Sequence, residues 1–406
     1  QRQMCIRDRY NTASGYYSTV SNGYCNIASG LYSTVSNGRR NTVSNAYSII
    51  GGGYMNTISS YSSGSFIGSG KNNNITDCGP RYGLNRGYAV VVGGLGNNTT
   101  GGTWSNFGDG CWIVNPTINC NVGKLSFIGN GFQNTVSNCY ASILNGKYNN
   151  ITVTNGTISG GYCNKLINNA SESFIGGGSY NSSCAANTFI GNGMCNTIGN
   201  ANYSTITGGQ CNTVTNYCSN IIGGQSSLVS GSRSSIVGGF QNTVSGCCSV
   251  ISGGAFNIIS ADNSSIAGGL SHTISANSSS IGGGVGNSVS GSYSTISGGG
   301  SNTASGYNAS IGGGAANTIC ILASRSAILG GYLNVINCSY SGILGGTSNT
   351  VSSYKSFIVG SNITSDRACT TFVNNLSIKS IPTAAAGLPS GSVWRCTADN
   401  TLRIIP

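Results

Sequence analysis

Aliphatic residues return at a fifteen-residue interval along most of the chain, at Val20, Val35, Ile50 and Ile67, then from Ile128 through Ile143 and Ile158 to Ile358. A second aliphatic follows each anchor by eight residues, as Val214 follows Ile206 and Val244 follows Ile236. The plainest copy is Tyr-Ser-Thr-Ile-Ser-Gly-Gly-Gly-Ser-Asn-Thr-Ala-Ser-Gly, from Tyr293 to Gly306. A fixed short period of this kind predicts stacked coils, each too small to fold alone. The longer steps, sixteen residues at Ile190 to Ile206 and seventeen at Ile50 to Ile67, Ile158 to Ile175 and Ile311 to Ile328, read as turn insertions that leave the strands in register.

Each unit predicts two very short strands, because β-branched Ile, Val and Thr favour the pleat. Gly and Asn between them are expected to supply the positive φ angles of the corners. Alternation along a strand then turns the Ser two residues before the anchor inward, together with the Asn two residues before the second aliphatic. The interior is thin: two aliphatics, a Ser and an Asn per coil. Asn26, Asn41, Asn56, Asn149, Asn212, Asn242 and Asn302 share that last column. Stacking would align them as an amide ladder, which avoids about 1–3 kcal/mol for each buried polar group otherwise left unpaired. The lone histidine, His272, stands in the same column and reads as a ladder substitute before a catalytic base.

The expected fold class is therefore all-β, a parallel β-solenoid of about twenty coils with a small C-terminal β cap. Repeats occupy 11–70 and 125–365. Residues 1–10 break the composition and resemble a translated sequencing-adapter scar, the alternative being an authentic basic arm. Between 71 and 124 the period falters, stretching through Val91 and Ile113, and Trp104, Phe107 and Trp112 appear. An aromatic excursion on a rigid scaffold is a candidate receptor contact, and a small apolar plug is the alternative. From 366 to 406 Pro-Gly turns and ordinary strands suit a cap or attachment segment.

Composition narrows the chemistry. With 65 Gly, 5 Pro and 6% charged residues the chain is far from globular usage. Disorder does not fit aliphatics that stay in phase for hundreds of residues. The formal charge is +11, but the 18 basic residues are dispersed, and no basic stripe with recurring aromatics is evident, so nucleic acid is not an expected partner. No apolar run is long enough for a membrane span, and no membrane insertion is expected. Seven acidic residues serve the whole chain, and only Asp77 and Asp109 share one irregular region. Glycoside cleavage needs two carboxylates at a set separation, and a Ser or Cys nucleophile needs a base. No enzyme activity, metal or cofactor is expected. Seventeen cysteines follow no zinc spacing. Cys195 and Cys211 share a column in successive coils, close enough for a disulfide, with free thiols as the alternative. Tyr140, Tyr203, Tyr293 and Tyr340 stand three residues before the anchor, where they would cover a subunit interface or stack on sugars.

The Asn-Thr-Val/Ala-Ser-Gly-x-Tyr-Ser-Thr/Ser-Ile-x-Gly-Gly unit resembles the haemagglutinin-type repeat of trimeric autotransporter adhesin heads. That resemblance implies a left-handed β-roll joined side by side in threes, over roughly residues 11 to 365. The chain departs from the family in showing neither a heptad stalk nor amphipathic anchor strands. Its segment Gly387-Leu388-Pro389-Ser390-Gly391-Ser392-Val393-Trp394, after Ile381-Pro382-Thr383, is similar to the end of many phage fibre and virion appendage proteins. The expected function is an extracellular, homotrimeric fibre, a phage or virus tail fibre or appendage presenting a host-binding surface. Its partners would be a host cell-surface glycan or protein and other virion or appendage proteins. A bacterial surface adhesin fragment is the first alternative, and an ice-binding solenoid the second. Three copies have a physical motive, since a thin roll gains apolar burial by covering its outer faces.

Overall fold

The computed structural model describes residues 10–59, 63–75, 90–91, 97–99, 119–121, 127–129, 131–375, 381–383, 386–396 and 402–404. Each coil contributes two strands, mostly of two residues, such as Thr295–Ile296 and Thr303–Ala304. Strands carrying the anchor pair in parallel with their counterparts in the neighbouring coils, Ile281 with Ile296 and Ile296 with Ile311. Those carrying the second aliphatic do the same, Val289 with Ala304. The result is a β-solenoid with two long parallel ladders, one of 23 strands, and no helix among the described residues. A third thread of single parallel bridges joins residues four after the anchor, for example Gln210 to Gln225 and Phe240 to Ala255.

The longer steps are absorbed outside the ladders. Ile50 pairs opposite Ile67, Ile158 opposite Ile175, Ile190 opposite Ile206 and Ile311 opposite Ile328. The stack also passes through the irregular region. Val90–Val91 pairs with Phe66–Ile67 on one side and Phe127–Ile128 on the other. Asn97–Thr99 and Asn119–Asn121 fill the second ladder between Asn74–Ile75 and Thr135–Val136. Val91 thus meets Ile128 directly. Ile113, Trp104, Phe107, Trp112, Asp77 and Asp109 lie outside the described residues. At the far end the first ladder runs on to Thr371–Val373, and Val393–Arg395 forms an antiparallel ribbon with Leu402–Ile404.

Between the ladders the anchors and second aliphatics form a dry column, Ile236, Val244, Ile251 and Ile259 being fully buried. Two polar ladders flank it. Asn242 donates through Nδ2 to the Gly238 carbonyl at 3.0 Å and to the Gly254 carbonyl of the next coil at 2.9 Å. Its Oδ1 accepts the Asn257 N–H at 3.0 Å, and the motif repeats coil by coil. Across the core the buried serines do likewise: Ser249 Oγ donates to the Ala261 carbonyl at 2.9 Å and accepts the Ser264 N–H at 3.0 Å. Most polar atoms of the two motifs are partnered in this way, which spares the thin interior the cost of orphaned groups; Ser33 Oγ and His272 Nε2 are the exceptions among the described members of the two columns.

The corners differ from expectation. Glycine takes positive φ three residues after the anchor, where Gly239 lies at +97° and a Cβ would sit 2.0 Å from the Gly254 carbonyl oxygen. Each coil has two further left-handed positions, three before and five after the anchor, and these are held by Tyr32, Arg40, Cys195, Gln241 or Arg325 as readily as by Asn. The reason is non-local. Strand N–H groups donate forward, as Thr34 does to Ser48 at 3.0 Å. A left-handed residue turns its N–H the other way, and Tyr32 and Arg40 donate back to the carbonyls of Tyr16 and Tyr24, both at 2.9 Å. That bond between coils offsets a conformational cost on the order of 1–2 kcal/mol.

Candidate functional site

A roll of this kind presents two outer faces and two edges. The residues just before and after each anchor point outward and form a mixed face: Phe66, Leu144, Phe189, Ile222, Leu344 and Phe357 are exposed apolar groups, interspersed with Thr34, Thr157, Thr205, Ser235, Thr295 and Ser310. Phe174 and Phe189 stack in adjacent coils with ring centroids 5.6 Å apart. The opposite face carries hydroxyls, with Thr197, Thr213, Thr243, Thr273, Thr303 and Thr318 at the outward position of the second strand. Leu228, Ile258 and Val335 interrupt that column. The two faces therefore differ in degree, which the repeat seen one unit at a time does not reveal.

Tyr140, Tyr203, Tyr293 and Tyr340 all occupy the left-handed corner before the anchor and are exposed. They rim the mixed face. Tyr17, Tyr32 and Tyr47 stack along this edge at 4.8 and 5.4 Å. Tyr293 meets Tyr307 edge-on at 5.4 Å, whereas Tyr340 contacts Tyr354 and receives a hydrogen bond from the Arg325 guanidinium.

The opposite edge holds a set that sequence reasoning missed. Tyr24, Arg39, Tyr54 and Lys71 follow one another in a single column of parallel bridges. The Arg39 guanidinium carbon stands 5.2 Å from the Tyr24 ring centre and 5.9 Å from that of Tyr54. Lys71 Nζ lies 5.7 Å from the Tyr54 ring. Beyond the irregular region the edge resumes with Phe132, Lys147 and Tyr162, and Lys147 Nζ lies 5.0 Å from Phe132 and 4.8 Å from Tyr148. Tyr162 and Tyr180 meet at 5.3 Å, and their shared side-chain hydrogen bond, aided by the electrostatic effect of Tyr180, pushes the Tyr162 hydroxyl up to about 12. The signal was available. Reading down the column four residues after each anchor gives Tyr24, Arg39, Tyr54, Lys71, whereas along the chain Arg39 and Arg40 look like part of a basic start.

Cys195 and Cys211 are adjacent in their column, as expected, and both are thiols in the structure. Burial, followed by the neighbouring Cys211, raises the Cys195 thiol. His272 is fully buried in the amide ladder: its N–H donates to Asn257 Oδ1 at 3.0 Å and its Nδ1 accepts the Asn287 N–H at 3.1 Å. Nε2 is directed towards the Gly284 carbonyl without good hydrogen-bond geometry. Burial lowers the imidazole from its ordinary value, partly opposed by the backbone of Gly284 and Asn287. A shallow polar cleft, lined by Asn138, Thr152, Thr154, Asn168, Asn169 and Asn202, opens where the seventeen-residue step after Ile158 bulges. Among the described residues no group of three or more His, Cys, Asp or Glu is placed to hold a metal ion, and no helix is long and apolar enough to cross a membrane.

The fold defines the chain as a parallel β-solenoid repeat protein. No family model matches it, and no curated protein does.

Proposed function

We propose that this protein is a structural fibre, an extracellular and trimeric attachment protein of the tail-fibre or virion-appendage type that carries a host-binding surface at a distance. The observation that carries the reading is the continuity of the ladders, which run from Thr12–Ala13 to Thr371–Val373 and keep register across the sixteen- and seventeen-residue steps. With rungs about 4.8 Å apart, 23 of them make a stiff rod on the order of 100 Å long. Such a shape gives reach and encloses no reaction chamber. The outer face that bears exposed Phe, Ile and Leu, rimmed by corner tyrosines, supports association in threes, because covering each half-exposed aliphatic there contributes on the order of 1 kcal/mol.

The test is sedimentation velocity with small-angle scattering on the intact chain, followed by adsorption of the labelled protein to candidate host cells. A three-chain particle with a long dimension near that of the rod is expected. A monomer, or a compact scattering profile, would overturn the fibre reading.

The threonine column favours one second reading, ice binding, which needs a flat regular hydroxyl array. Leu228, Ile258 and Val335 break that array, and no thermal hysteresis is expected. A measured hysteresis gap would reverse this preference.

A further inference from the structure

We propose that the edge bearing Tyr24, Arg39, Tyr54 and Lys71 binds an extended acidic polysaccharide lying along the rod. Its carboxylates or sulfates would pair with the cations and its hydroxyls with the tyrosine hydroxyls. This names a partner for the attachment reading and rests on that reading only for its biological setting.

Charge is the first argument. Arg39, Arg40, Lys71 and Lys147 are exposed, and the described acidic residues stand elsewhere. Glu172 and Asp262 belong to the opposite edge, and Asp366 pairs with Arg367 at 3.2 Å. Among the described residues the edge is thus of one sign. Aromatic neighbours hold its cations by cation–π contacts at 5.2 to 5.9 Å. A cation held against a ring has less side-chain freedom to lose on binding an anion.

Spacing is the second. Arg39 and Lys71 are two rungs apart in one column of bridges, a separation of about 10 Å. Two pyranose units of an extended chain cover a comparable length, so an acidic group on alternate sugars would meet successive cations. The third argument separates a glycan from a nucleic acid. Single strands bind by stacking bases on open aromatic faces. Here Arg39 lies between Tyr24 and Tyr54, and Lys71 lies against Tyr54 as well, so the ring faces along the axis are already occupied. What remains outward is hydroxyl and charge, which suits sugar hydroxyls and acid groups.

The experiment uses the full chain with polygalacturonate, dextran sulfate, neutral dextran and a single-stranded DNA, each immobilised and assayed at low and high salt. Binding to the two acidic polysaccharides, weakened by salt and absent on neutral dextran, is expected. The double variant Arg39→Gln with Lys71→Gln should lose about tenfold or more in affinity, as removal of charge-assisted hydrogen bonds implies. Lys355→Gln, beside Tyr354 on the other edge, should bind as the parent does. Scattering on the same samples keeps the two readings apart, since an intact rod with no glycan binding overturns this proposal alone. Equal or tighter binding of the DNA overturns it in favour of a nucleic-acid edge. Acidic-glycan binding that is insensitive to the double variant also overturns it.

Discussion

The carboxamide of Asn242 closes hydrogen bonds to the Gly238 and Gly254 carbonyls and to the Asn257 N–H, and of these the Gly254 carbonyl also accepts the Phe240 N–H at 3.0 Å. Asn242→Ala should cost about 2 kcal/mol, roughly 1 for each of the two partners left unpaired, the Gly238 carbonyl and the Asn257 N–H. Because each coil leans only on its neighbours, the loss should be local and is best read as faster amide exchange at Asn257 and the flanking coils. Unchanged exchange there would remove the ladder from the account of stability. His272 supplies the pH-dependent counterpart. Burial lowers its folded pKa below the ordinary 6.5, so the unfolded chain takes up the proton first. Its stabilising contribution is complete above about pH 6.5 and declines as pH falls towards the lowered folded value. Protonating Nδ1 would also set a donor against the Asn287 N–H. His272→Asn should flatten this acid-side fall in Tm, measured by thermal melts between about pH 4 and 7. If parent and variant melts track one another across that range, the histidine is not the source. Sequence alone placed both residues in the ladder, since a column of Asn at one phase of the repeat admits little else. It did not show that the buried serines, Ser234, Ser249 and Ser264 among them, form a second ladder. Alternation turned that Ser column inward, but the partners of its hydroxyls are carbonyls of the next coil, which the order of residues along one strand does not show.

Neighbouring glycines within one turn carry very different demands. Gly239 sits at φ +97° with a built Cβ only 2.0 Å from the Gly254 carbonyl oxygen, whereas nothing lies within 4 Å of the position a Cβ would take at Gly238. Gly239→Ala should therefore disrupt stacking of its coil, lowering Tm or abolishing soluble expression. Gly238→Ala should be neutral or stabilise by about 0.4–1 kcal/mol through the unfolded chain. Similar melts for the two variants would show that the turn is adaptable. The Gly-Gly turn was legible from composition, but the division of labour inside it was not. The same holds for the two left-handed corners. Residue type there is almost free, Tyr203, Cys218, Arg233 and Cys248 serving in consecutive coils, because the geometry is held by a bond to the preceding coil and not by the local preference of the side chain.

For the whole molecule the outer faces decide assembly. Ile222 and Leu344 are each about half exposed on the mixed face and sit far apart along the stack. Replacing both by Lys would set like charges into the proposed three-chain contact and forgo on the order of 1 kcal/mol of burial at each half-exposed site. The expected outcome is dissociation to single chains at concentrations where the parent remains associated, with an unaltered β-type circular dichroism spectrum. An undiminished three-chain mass would move the interface to another face. The region 71–124 marks the limit of sequence reading at this scale. Its faltering period leaves the strands within it hard to place from the sequence, and the described strands Val90–Val91, Asn97–Thr99 and Asn119–Asn121 show the ladders continuing between the longer spacings.

The spacing of aliphatics, glycines and asparagines by itself determined that the chain folds into stacked coils, which side chains enter the interior and where insertions interrupt the period. Those are consequences of local alternation and of a repeat length that every unit shares. Tertiary structure alone decided which outward residues stand above one another, that exposed Phe, Ile and Leu side chains gather among hydroxyls on one face, and that Tyr24, Arg39, Tyr54 and Lys71 make a single edge. Those neighbours lie fifteen or seventeen residues apart, and their alignment depends on extra residues being taken up at a turn without shifting the rungs. Stacking brings together what the chain keeps separate, and bonds between coils hold corners that no single coil could hold alone.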